Sequence, residues 1–366
     1  MDHISTHSVG GAGFCGSPSC EDCARFDTPL SMTTATAKQR WVTNFGSLRR
    51  YAPNPDSIDE TGFGADGSWG DTWRMFRAAR DADVVVLNIA SIAVLKLCLL
   101  RFLMPWARFK LISVDILLAR PELPRHKVLA PIKKFLLRKV DLFILYFQDL
   151  ADYDRYYGIG PSRTRYVPFK SNSWEKLPPA AELSSNGEYI FTAGRTMRDL
   201  KTFVEAMRLV PYPAVLMHLK GENIEHGTQV PRDALPSNIT LLEHDGNRAT
   251  WIERMRRSKI VVIPILPATI SSSGIGTSID AMAMRKCIVI TDGQSTRGLI
   301  SDEAMVVPAQ DPVAMADAIR RAWEDPALRA AYAERGRRHA ESLAGEDRLH
   351  RDVARATLEY VAQERR

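Results

Sequence analysis

The chain has few cysteines, five in 366 residues, so a disulfide-stapled secreted scaffold is not expected. Cys98 and Cys287 stand inside apolar runs and read as reduced core thiols, which points to a cytoplasmic setting. Cys15, Cys20 and Cys23 form a C-x4-C-x2-C group whose fourth ligand would have to be His3, His7 or an acid. That set is incomplete, and no metal is expected. The first thirty residues lack an apolar core, so no secretory leader is expected. An unbroken apolar run of membrane length is also missing. Val84 to Met104 comes nearest, but Asn88, Lys96 and Arg101 interrupt it, and its opening reads as a strand. Acids are scarce in one place. Between Arg101 and Lys139, ten Lys or Arg face only Asp115 and Glu122, more than accounting for the chain's net charge of +6. Without interleaved exposed aromatics or a reader motif, that segment does not predict a nucleic-acid partner.

What is present reads as an ordinary globular protein. Hydrophobic residues make up 45% and charged residues 25%, and the length suits about two domains. Residues 1–37 are rich in Ser, Gly and Cys and read as a flexible extension. Strands are expected at 83–89, 109–115, 141–147 and 164–169, with helices at 71–80, 91–104, 127–139 and 150–157 between them. A weaker strand is expected at 40–46, followed by a long polar loop from Tyr51 to Gly70. Residues 171–187, with Pro178-Pro179 and a Ser-Ser-Asn-Gly turn, read as a linker between domains spanning 38–170 and 188–345. The alternation restarts beyond the linker, and residues 346–366 read as a C-terminal helix. Strands alternating with helices predict an α/β protein with two Rossmann-like, doubly wound parallel sheets. The apolar helix beside Arg101, Arg108, Arg120, Arg125, Lys127, Lys133 and Lys134 suits peripheral contact with an anionic membrane; a core helix beside a solvated basic one explains the pattern equally.

Two loops carry the chemistry. Six of the seven residues from Ser271 to Thr277 are Gly, Ser or Thr, after an apolar strand and before a helix. Such a loop brings backbone amides close to an anion, and the helix N-terminus favours negative charge. Asp280, one turn into the helix, could accept from ribose hydroxyls. Alternatively, Thr277 and Asp280 make a capping-box variant that needs no ligand. In the second loop, Gly194-Arg195-Thr196-Met197-Arg198-Asp199-Leu200-Lys201 places three cations at the end of another strand, where open parallel sheets bind ligands. The alternative here is Asp199 as a helix cap with Arg195 and Arg198 solvated.

The stretches Gly194 to Lys201, Asp280 to Lys286 and Pro308-Ala309-Gln310-Asp311-Pro312 resemble retaining glycosyltransferases of the GT-B fold, family 4. The resemblance runs from about Asp83 to His339 and is strong from Tyr189 onward. It implies a GT-B architecture and a nucleotide-diphosphate sugar as co-substrate, without a metal. It assigns Arg195 and Lys201 to the donor diphosphate as catalytic groups, supported by Gly194 and Arg198. Ser272, Ser273, Gly274, Gly276 and Thr277 would meet phosphate or sugar hydroxyls, and Asp280 the ribose. Ser113-Val114-Asp115 sits where that family often has T-H-D. Asp115 and His126 are the candidates for orienting an acceptor hydroxyl. Three departures stand out: Ser272 replaces an acid that contacts the donor sugar, Val114 replaces a histidine, and the opening Gly-Gly loop is missing. The expected function is transfer of a sugar, with retention, to a glycan or lipid-linked acceptor in polysaccharide or glycolipid biosynthesis. A degenerate nucleotide-binding partner subunit and a nucleotide-sugar epimerase are the alternatives.

Overall fold

The computed structural model describes residues 38–364 apart from 180–181, 185, 195, 220–227 and 245, and the side chains of 234 and 244. The extension at 1–37, with Cys15, Cys20 and Cys23, lies outside the described residues.

The first lobe runs β1 (Gln39–Thr43), β2 (Ile58–Gly62), α1 (Trp69–Ala79), β3 (Val84–Asn88), α2 (Ser91–Leu103), β4 (Lys110–Val114), α3 (Pro124–Leu137), β5 (Leu142–Leu145), α4 (Ala151–Tyr157) and β6 (Thr164–Tyr166). Its six strands lie in the order β2-β1-β3-β4-β5-β6, and every pairing is parallel. The second lobe runs β7 (Tyr189–Ala193), α5 (Leu200–Arg208), β8 (Ala214–Leu219), β9 (Ile239–His244), α6 (Arg248–Arg256), β10 (Ser258–Ile263), α7 (Ile275–Ala283), β11 (Cys287–Thr291), β12 (Met305–Val307), α8 (Pro312–Glu324) and α9 (Pro326–Leu343). Its order is β12-β11-β10-β7-β8-β9, again wholly parallel. Two doubly wound sheets of this kind are the expected fold class.

Parallel strands between helices are covered on both faces, so they are written as apolar runs rather than alternations. Val84 to Leu87 are all 0% exposed, as are Ile260 to Ile263. Short polar side chains start the helices: Ser68 accepts from Asp71 N, Asp199 from Thr202 N, Asp311 from Ala314 N and Asp325 from Leu328 N. Cys98 and Cys287 are free, buried thiols, pushed up to about 12 by burial.

Two details differ from the expectation. The polar segment from Tyr51 to Gly70 contains β2, the edge strand of the first sheet. Only Ile58 of its five residues is buried, so the strand carries no apolar periodicity. The α7 helix begins at Ile275 with Gly274 as its cap, which places Thr277 inside the helix and removes the capping-box reading.

The chain passes between the lobes twice. The first passage follows β6. The second leads from α9 into α10 (Glu346–Glu364), which returns to the first lobe and packs Leu349, Val353 and Val361 with Trp41, Phe45 and Leu48. The two passages touch: Lys170 pairs with Glu346 at 3.6 Å, and Glu175 accepts the Glu346 amide at 3.1 Å.

Candidate functional site

Both loops singled out in the sequence follow the carboxyl ends of strands in the second lobe, β7 and β10, and both line one cleft of about 510 Å³ between the lobes. The turn after β7 opens on Gly194 at φ 135°, where a Cβ would lie 2.4 Å from Arg198 Nε. Only glycine allows this close approach. The turn is then tied to the end of β10, with Asp199 N donating to Pro264 O at 3.0 Å and Leu266 N to Met197 O at 2.9 Å.

Arg198 is 4% exposed. Its guanidinium donates to Ala193 O at 3.2 Å, Thr196 O at 2.8 Å and Thr277 Oγ1 at 3.2 Å. All three partners are neutral, and among the described residues no carboxylate pairs with it. Burial alone pushes its pKa down to about 10. A buried cation without a counter-charge is costly, and an incoming anion relieves that cost. The N-terminus of α7 adds to the field. Gly274 turns the chain at φ 92° with its Cβ position 2.6 Å from Ile265 Cδ1, and Gly276 and Thr277 open the helix on the cleft wall. First-turn amides lack carbonyls within their own helix and favour negative charge. Arg198 and α7 therefore bring together, from two distant stretches of sequence, two features that favour an anion.

Asp280 also lines the cleft but is only 1% exposed. Its Oδ1 accepts from Ser171 Oγ at 2.7 Å and Ser173 N at 3.0 Å, and its Oδ2 accepts from Arg248. Burial pushes its carboxyl up, with Arg248, Ser171 and Ser173 pulling the other way. Arg248 also donates to Ser173 Oγ at 2.6 Å and lies 4.1 Å over the Trp251 ring. Asp115, at the end of β4, faces this loop from the first lobe and accepts from Ser272 Oγ at 2.7 Å.

The structure gathers Gly194, Arg198, Ser272, Ser273, Gly274, Gly276, Thr277, Asp280 and Asp115 at the cleft. Arg195 lies outside the described residues. Lys201 is exposed on the first turn of α5 and is not among the cleft-lining residues; Asp199 caps that helix, and Leu200 and Thr202 on either side of Lys201 are buried. His126 sits in the first turn of α3 and does not line the cleft either. Arg248, Trp251 and Tyr146 line it without having been singled out. Each looks ordinary in sequence, as a helix-start arginine or a core aromatic.

A family model described as glycosyl transferases group 1 matches residues 187–325. No curated protein matches the chain by sequence. Among solved structures, sucrose-phosphate synthase from Thermosynechococcus elongatus superposes with a TM-score of 0.62 at 17% identity, covering 84% of each chain. Anabaena HepE in complex with UDP-glucose gives a TM-score of 0.64 at 14% identity, covering 88% of this chain and 99% of that one. An α,α-trehalose-phosphate synthase (UDP-forming) from Burkholderia vietnamiensis gives 0.59 at 15% identity, covering 80% of each. Residues 187–325 thus form a group 1 glycosyltransferase domain, and the chain has the two-lobed GT-B fold of these structures.

Proposed function

We propose that the protein transfers a sugar, with retention of configuration, from a nucleoside-diphosphate donor to a glycan or lipid-linked acceptor at the cytoplasmic face of a membrane. The observation that supports the donor half is Arg198, buried beside the α7 N-terminus with no carboxylate partner among the described residues. In the reaction the bond from the anomeric carbon to the diphosphate oxygen breaks, a bond from that carbon to an acceptor hydroxyl oxygen forms, and the hydroxyl proton leaves with the diphosphate. The leaving diphosphate gains negative charge, which Arg198 and the α7 amides are placed to stabilise. Arg198 thus takes the part expected of Lys201. Asp280, whose Oδ2 accepts from Arg248 and has a further lone pair, is the carboxylate proposed for the ribose hydroxyls. Trp251, Met217 and Leu219 contribute apolar lining to the cleft that suits a flat base.

A thermal-shift screen with UDP, GDP, ADP, CMP and dTDP tests the donor half. A ligand at a hundred times its Kd stabilises by about 2.7 kcal/mol. Stabilisation by one diphosphate over the others is the expected result; no shift with any of them overturns the reading.

The acceptor half rests on the outer face of α2 and α3. Ile92, Leu103, Trp106, Val128 and Ile132 are 52–67% exposed there, and Phe102 meets Phe135 edge-on at 5.2 Å to join the two helices. Exposed apolar area of this extent marks an interaction surface. Arg108, Arg125, Lys127 and Arg138 are exposed along the same segment, which matches an anionic lipid surface rather than a neutral partner. Ile89, next to the start of α2, lines the cleft, so a lipid-linked acceptor held at this face has a short path to the donor. Among the described residues no helix is long and apolar enough to cross a membrane, so the contact is peripheral. The protein is expected to sediment with phosphatidylglycerol vesicles and much less with phosphatidylcholine, and Lys127→Glu with Arg125→Glu should weaken this. Equal recovery from both vesicle types would remove the membrane from the reading and leave the donor site untouched.

A further inference from the structure

Two buried polar atoms of cleft residues have no hydrogen-bond partner among the described residues: Asp115 Oδ1 and the Tyr146 hydroxyl. Their residues are 4% and 1% exposed, and both line the cleft. Buried polar atoms are nearly always satisfied in folded proteins, so a pair of orphans facing one cavity points to a ligand that pairs with them. Asp115 is also held in an unusual backbone conformation. It follows β4 at φ 48°, a left-handed region that a side chain makes unfavourable, and its amide is fixed to Ile144 O at 2.8 Å. The turn aims the carboxyl at the opposite lobe, where Oδ2 accepts from Ser272 Oγ at 2.7 Å.

Ser272 stands two residues before Gly274, the cap of α7, so Asp115 adjoins the anion site on its first-lobe side. The stretch from Ser271 to Ile279 contains no acid of its own. Burial pushes the Asp115 carboxyl up to about 6, opposed only by the Ser272 hydrogen bond, and the Tyr146 and Tyr153 phenols are raised first by burial and then by the Asp115 charge. A carboxyl in this setting repels an anion and has an open oxygen for a neutral donor. The Tyr146 hydroxyl can give or take a hydrogen bond. Ile89 and Leu117 border the same space with apolar surface. A neutral ring bearing hydroxyls on one edge and C–H groups on its face matches these walls.

We propose that Asp115 and Tyr146 form the subsite for hydroxyls of the donor's sugar, with Ser272 linking that subsite to the anion loop. This rests on the donor reading above. The sugar is then held from the lobe opposite the one holding its diphosphate, and Asp115 and Tyr146 are binding groups that position it.

The test compares each diphosphate with its sugar ester, UDP against UDP-glucose and GDP against GDP-mannose. Calorimetry is run on the full chain for wild type, Asp115→Asn and Tyr146→Phe. Both substitutions preserve shape. Affinity for the bare diphosphate should stay within about twofold of wild type. The ratio of ester to diphosphate affinity should fall roughly tenfold in Asp115→Asn and severalfold in Tyr146→Phe, as expected for losing one charge-assisted and one neutral hydrogen bond. Unchanged ratios in both variants overturn the proposal and leave the carboxyl to the acceptor. An equal loss of both affinities overturns it too, marking the pair as structural. A wild-type chain that binds no diphosphate or ester is a separate failure, that of the donor reading itself, and the proposal falls with it.

Discussion

Arg198→Met is expected to weaken nucleoside-diphosphate binding by roughly a hundredfold and to slow sugar transfer by about two to three orders of magnitude. The cause is the placement of the guanidinium, buried at 4% exposure among neutral partners at the start of α7. An exposed arginine would be screened by water, and its loss would be felt far less. The unliganded protein should behave differently from the liganded one. Methionine fills much of the same volume and removes an uncompensated buried charge, which is stabilising. It also leaves the Ala193 and Thr196 carbonyls without their donors, which is destabilising. These oppose each other, so melting without ligand should stay close to wild type while the ligand-induced shift disappears. Arg198→Lys should recover only part of the binding, because a single ammonium cannot span Ala193, Thr196 and Thr277 as the planar fork does. Paired melting curves with and without diphosphate check this. A variant that keeps the full shift would show that the anion is held elsewhere.

The second large effect is on stability. Asp280→Ala should cost about 3 kcal/mol, read as a fall in the urea midpoint at unchanged slope. Removing one member of a buried pair leaves the other uncompensated, and here three donors lose their acceptor together: Arg248, Ser171 Oγ and Ser173 N. The expected cost sits at the lower end for such pairs, because the Arg248 side chain is 34% exposed and water can reach it. Asp280 joins α7 to the first passage between the lobes, so its loss should also loosen the cleft wall. A midpoint within the error of wild type would show that Arg248 alone holds this corner.

Much of the fold was legible because parallel strands announce themselves as apolar runs. Val84 to Leu87 and Ile260 to Ile263 need no context to be read. The edge strand β2 was missed because only Ile58 in Ile58–Gly62 has a core to face. The small-residue loop at 271–277 stood out for a different reason. Gly274 and Gly276 are small because other atoms occupy the space a side chain would need. Lys201 and Arg198 show the limit of such reading. Both are cations just after β7, and the turn fixed by Asp199 N and Pro264 O decides which one faces the cleft. Spacing along the chain does not encode that choice. Arg248 and Ser171 are further cases, since their meaning comes entirely from Asp280, which is 32 and 109 residues away.

The double passage of the chain has a mechanical consequence. Two bodies joined by one flexible tether can twist, slide and separate freely. Here a second strut runs beside the first, the two gripping each other through Lys170, Glu175 and Glu346, and α10 anchors its far end in the first lobe. Adjacent struts resist shear and torsion and leave bending about their common line as the soft mode. Opening and shutting of the cleft is thereby reduced to something close to a single degree of freedom. The hydroxyl of Ser272 and the carboxyl of Asp115 meet across the cleft, so bending about that line would part or join them.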